Sequence, residues 1–239
     1  MRLLATALLI AVNGAAGAQE MGSAEIESIA DLQRQAWKQS PAKPLRRVMP
    51  LFDRVIAFDV PRNFVVSYQA QSPRHFIQEL APDGERTETW TKLVTVGSLR
   101  GAGAAPTTTA ALADRLFNPR ACTTGPIYRV LGERVFAPGV MVTTISLGCA
   151  SLPRGAYPAA LAGAGEQDFV WLFRDATNVY TLKYSIRGKP WPVGRPPIPV
   201  ADAERQLAVF GKVQLCTQNA PDAVCKQVMI FNIARKAGN

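Results

Sequence analysis

Short runs of β-branched and aromatic residues, broken at close intervals by turn formers, set the pattern of this chain. Val55-Ile56-Ala57-Phe58, Phe64-Val65-Val66-Ser67-Tyr68 and Phe76-Ile77-Gln78-Glu79-Leu80 are separated by Pro61-Arg62-Asn63 and Ser72-Pro73, a spacing that predicts antiparallel strands with tight connections. Thr87-Glu88-Thr89-Trp90 reads as one helical turn before a strand over Lys92 to Val96. Strands resume at Ile127 to Leu131 and Val140 to Leu147. Phe169 to Phe173 and Val179 to Tyr184 flank Asp175-Ala176-Thr177-Asn178, the clearest hairpin in the chain.

Three segments carry helical spacing instead. Ser23 caps the first, which places Ile26, Ile29, Ala30 and Trp37 on one side and ends before Pro41 and Pro44. The second runs from Thr107 to Phe117, and the third from Ala201 to Phe210, with Gly211 as its stop. Between the first helix and the strands, Lys43-Pro44-Leu45-Arg46-Arg47 reads as a basic linker. Strands outnumber helices and do not alternate with them regularly. The expected class is therefore α+β, an antiparallel sheet with helices packed on one face and stapled by disulfides.

The N-terminus changes the picture of where the chain works. Arg2, an apolar run from Leu3 to Val12, and Ala16-Gly17-Ala18 form the three parts of a secretory signal peptide. The apolar run is about half the roughly 20 residues that a permanent span needs, so no transmembrane anchor is expected after cleavage. The expected division is a signal peptide over 1–18, an N-terminal helix and basic linker over 19–50, and a single α+β domain over 51–239. A periplasmic or secreted location follows. The 48% hydrophobic composition excludes wholesale disorder, and the net charge of +9 favours anionic surroundings. Its cations are spread along the chain, and no basic-aromatic nucleic-acid module is present.

An exported chain with Cys122, Cys149, Cys216 and Cys225 is expected to pair all four. Three pairings are open to four cysteines, and the local ones are favoured: Cys122 with Cys149, and Cys216 with Cys225 across the turn-rich Thr217 to Asp222. A zinc site would need closer Cys spacing or histidines, and His75 stands alone. No metal and no cofactor is expected.

Catalytic motifs are missing. His75 has no nucleophile motif to serve, and Gly97-Ser98-Leu99-Arg100-Gly101 lacks the central serine of a nucleophile elbow. Gly101-Ala102-Gly103 has no following lysine to make a phosphate cradle. Two carboxylate groups, Asp83, Glu85 and Glu88 before Trp90, and Glu166 and Asp168 before the Phe169 strand, are all that acid-base hydrolysis of a glycan has to draw on. The favoured reading makes them solvated turn residues and helix-end charges, since nothing brings the two groups together in sequence. The other candidate surface is the proline-rich segment from Arg187 to Pro199, where Arg187, Lys189, Trp191 and Arg195 combine stacking with anion contacts. The favoured reading of that segment is a stiff connection from the last hairpin to the last helix, with Trp191 folded onto the core.

Glu88-Thr89-Trp90-Thr91-Lys92-Leu93-Val94-Thr95-Val96, the later strand from Tyr180 to Arg187, and Leu215-Cys216 with Cys225 resemble small secreted proteobacterial proteins of no assigned activity. The resemblance implies an exported α+β domain with disulfides and no catalytic residue. The functional expectation is an exported, non-catalytic binding or structural module of the bacterial envelope, meeting an anionic envelope component or protein. The alternative is a glycan-type envelope hydrolase built on carboxylates.

Overall fold

A computed structural model describes residues 19–39, 44–86, 89–117, 122, 124–153 and 162–218. The expected signal peptide lies outside the described residues. The chain runs β1 (Gln19–Glu20), α1 (Ser23–Gln39), β2 (Leu45–Leu51), β3 (Arg54–Val60), β4 (Phe64–Gln71), β5 (His75–Pro82) and β6 (Lys92–Leu99). It continues through α2 (Thr109–Phe117), β7 (Thr124–Ala137), β8 (Val140–Ser151), β9 (Gly165–Arg174), β10 (Val179–Gly188), α3 (Ala203–Leu207) and β11 (Gln214–Thr217).

The strands form two antiparallel sheets. One has eight strands in the order β1-β4-β5-β6-β10-β9-β8-β7, and the other has three in the order β11-β3-β2. The larger sheet is two meanders joined edge to edge: after β6 the chain crosses through α2 to the far edge at β7, and β8, β9 and β10 bring it back beside β6.

This architecture corrects the expected α+β class. The protein is mostly β, with short helices, and a second sheet rather than a layer of helices covers much of one face of the first. Side chains from both sheets make the main core, with Phe58 of β3 and Leu51 of β2 against Phe169, Phe173 and Tyr180 of the large sheet. The helices themselves fall on both faces, since α1 and α3 join this core while α2 packs Leu112, Ala113 and Phe117 against Ile145, Leu147 and Leu172 on the opposite face. The physical reason is visible in β3, where Val55, Ile56, Ala57 and Phe58 are all buried, as in a central strand covered on both sides.

Leu45, Arg46 and Arg47 belong to strand β2, so the expected basic linker is largely an edge strand. An edge position tolerates Pro50, whose missing N–H would break an inner ladder. The expected helical turn at 87–90 falls partly outside the described residues, and Trp90 is buried. The segment from Val200 to Phe210 is one α-helical turn between two 3-10 turns. Glu204 anchors it to the sheet, accepting hydrogen bonds from Thr144 Oγ1 and, at 3.2 Å, Trp171 Nε1.

Polar contacts fix the two sheets to one another. Asp53 Oδ1, in the turn between β2 and β3, accepts from Asn178 Nδ2 at 2.6 Å and Tyr180 Oη at 2.9 Å. Asp175 Oδ1 accepts from the N–H groups of Thr177 and Asn178, which shapes the β9–β10 turn, while its Oδ2 takes Arg54 Nε at 3.0 Å. Gly103 lies under this turn, and a Cβ there would come within 2.4 Å of the Asp175 carbonyl oxygen. Cys122 is bonded to Cys149 with a Cα separation of 5.6 Å, fastening the segment after α2 to β8. Cys216 is also disulfide-bonded; Cys225, its expected partner, lies outside the described residues.

Candidate functional site

Two concave regions lie on opposite faces of the large sheet. The first is charged and buried. Antiparallel register places Arg187 opposite Glu166, Ser185 opposite Asp168, Lys183 opposite Thr95, and Thr95 opposite Glu79, so all of these side chains share the face that α2 covers. Arg187 grips Glu166 Oε2 through Nε at 3.0 Å and Nη2 at 2.6 Å, and its guanidinium stacks 3.3 Å from the centre of the Trp90 ring. Lys183 Nζ stands 3.7 Å from Asp168 Oδ1, too far for a hydrogen bond. Glu79 is 2% exposed. Burial pushes its carboxyl up to about 7, with Glu166 and Asp168 adding to the effect and Lys183 and Arg187 opposing it. Burial, and then Asp168, also raise the Glu166 carboxyl.

Beside this cluster lies a cavity of about 40 Å³ whose wall includes His75, Glu79, Thr95, Asp168, Lys183 and, from α2, Phe117. Burial lowers the His75 imidazole, which favours its neutral form. Thr95 Oγ1 and Asp168 Oδ1 make no hydrogen bond among the described residues. By volume the cavity holds a few waters, since each needs roughly 10–15 Å³ on this measure.

The second region is open and larger. Where the large sheet extends past the free edge of the small one, a groove of about 400 Å³ separates β2 and its following turn from the β4–β5 hairpin. Arg47, Met49 and Phe52 stand on one side, with Gln69, Gln71, Phe76 and Gln78 on the other, and none of the lining residues is acidic. Arg47 Nη2 donates to Gln78 Oε1 at 2.6 Å, and Gln78 Nε2 donates to Gln69 Oε1 at 2.5 Å. Because a guanidinium only donates, this chain fixes both amide orientations and leaves the Gln69 NH₂ as its outer end. Phe52 adopts a φ of 60°, unusual for a bulky residue, with the Arg100 guanidinium 4.5 Å above its ring.

The structure divides the residues singled out from sequence. Glu166 and Asp168 come together with Glu79, which sequence reasoning missed, while Asp83 pairs with Arg34 and Glu85 caps the backbone of Thr91. Glu88 lies outside the described residues. Of the proline-rich segment, Arg187 is buried with Glu166 and does not join the exposed Lys189 and Arg195. Trp191 is half-buried, with its backbone N–H on Ala150 O and its ring so close to Gly165 that a Cβ there would come within 2.3 Å. Among the described residues, no group of His, Cys, Asp and Glu is arranged to hold a metal ion, and no helix is long and apolar enough to cross a membrane. Compared with protein-family models and with curated sequences, the chain matches none.

Proposed function

We propose that this chain is an exported, non-catalytic binding module of the bacterial envelope, and that the groove between its two sheets is the ligand site. The groove carries the reading: its volume of about 400 Å³ lies in the range of small-molecule sites, roughly 300–1,000 Å³, and strands β2, β4 and β5 supply most of its walls. Export rests on the signal pattern of residues 1–18, and the Cys122–Cys149 bond suits an oxidising compartment. The positive net charge favours an anionic envelope component or protein as the surrounding surface, and Lys189 and Arg195 are exposed to meet it. Expression in a Gram-negative host tests this. Intact mass should show a chain beginning at Gln19, and the chain should co-sediment with washed envelope. A chain that retains residues 1–18, or that stays wholly in the soluble fraction, overturns the reading.

Glu79 favours a second reading, a glycan-type hydrolase. A carboxyl held near 7 suits a general acid, and Asp168 lines the same cavity. Against it, Arg187 and Lys183 already engage Glu166 and Asp168, and a cavity of about 40 Å³ does not admit a sugar ring. Release of reducing ends from envelope glycans that is lost in Glu79→Gln would establish hydrolysis and displace the binding proposal.

A further inference from the structure

Resting on the reading of the groove as a ligand site, we infer that its occupant is a saccharide chain. Two independent features of the groove support this class. The first is its polar lining. The Arg47–Gln78–Gln69 chain sets the orientation of the Gln69 amide before any ligand arrives, and the side chain of Gln71, exposed two residues further along the same strand face, makes no hydrogen bond among the described residues. The Gln69 NH₂ is left to donate and the Gln71 carboxamide can both donate and accept, the complement of neighbouring hydroxyls that do both. The orienting hydrogen bonds lower the entropy lost on binding. Among the described residues no carboxylate lines the groove, and a carboxylate is the feature a cationic ligand would need.

The second feature is aromatic. Phe52 is held at the groove in a left-handed backbone conformation that strains any residue with a β-carbon. Glycine would fill that turn without strain, so what the phenylalanine adds is its ring, placed across from Phe76 on the other wall. Arg100 covers one face of the Phe52 ring, and the apolar carbons of Phe52 and Phe76 that line the groove beside its amides suit a pyranose, which has C–H faces and a polar rim. An extended peptide is the competing occupant, since β2 is a sheet edge. Pro50 removes one of the edge donors such a peptide would pair with.

The test titrates the full mature chain calorimetrically with hexasaccharides of glucose, of N-acetylglucosamine and of galacturonate, and with an uncharged six-residue peptide. Saturable binding of at least one hexasaccharide is expected; preference for galacturonate over the neutral two would assign the ligand to acidic polysaccharide, and the reverse to neutral glycan. Phe52→Gly and Gln71→Ala should each weaken that binding by about tenfold or more, while the melting temperature stays level or, for Phe52→Gly, rises. Binding of the peptide but of no saccharide overturns the saccharide class and leaves the groove a binding site. Saccharide binding that both variants leave unchanged overturns the groove as its location. No binding of any probe by a folded chain that co-sediments with envelope overturns this inference alone.

Discussion

Glu79 is the residue whose chemistry departs most from its ordinary behaviour. It stands in the centre of β5, surrounded by Thr95, Lys183 and Asp168, and its carboxyl is held near 7 instead of the usual 4.5. The folded chain therefore keeps this proton more tightly than the unfolded chain does. Stability from this group is complete below about pH 4.5 and is lost as pH rises through about 7, a difference on the order of 3 kcal/mol. Glu166, raised in the same direction, adds to the trend. Denaturant midpoints at pH 5 and pH 8 check it: the wild type should be more stable at pH 5, and Glu79→Gln should flatten the difference. Arg187 makes the complementary prediction. Arg187→Ala leaves Glu166 buried without its partner and should cost about 3–5 kcal/mol, whereas the double substitution Arg187→Met with Glu166→Gln should cost much less. Equal losses in the two variants would show that the pair is not the source.

At the scale of elements, some of the fold is legible in the sequence and some is hidden. The β9–β10 hairpin is legible because Asp175 and Asn178 are turn formers between two apolar runs, and the structure uses them as such. Strand β2 is hidden because Arg46, Arg47 and Pro50 have the composition of a linker, and only its edge position makes that composition acceptable. The charged cluster is hidden for a related reason: Glu79 interrupts an apolar run, a signal that was available, but its meeting with Lys183 and Asp168 depends on β10 lying beside β6. The groove is half legible, since Gln69 and Gln71 share a strand face by their spacing, while Arg47 reaches them only through the second sheet. Trp191 belongs to this scale too. Packed on Gly165, it fastens the proline-rich segment to β9, so Trp191→Ala should lower the melting temperature, and Lys189→Ala with Arg195→Ala should reduce only salt-sensitive association with envelope. Replacing Cys122 and Cys149 together by alanine should cost about 2–4 kcal/mol in the oxidised protein. An unchanged melting temperature would contradict the staple.

For the whole molecule, the two faces of the large sheet divide the work. One face, on which α2 packs, buries an ionic cluster and leaves room for a few waters; the other meets a second sheet that stops short and leaves an open groove. We propose that the groove side, and not the carboxylate side, receives the ligand. The most direct measurement is side-chain and backbone NMR of the mature chain during titration with a hexasaccharide that binds. The side-chain amides of Gln69, Gln71 and Gln78 and the rings of Phe52 and Phe76 should shift in proportion to saturation, while Thr95, Asp168 and Lys183 stay still. Shifts centred on Glu79 and Asp168, with the glutamines unmoved, would contradict it.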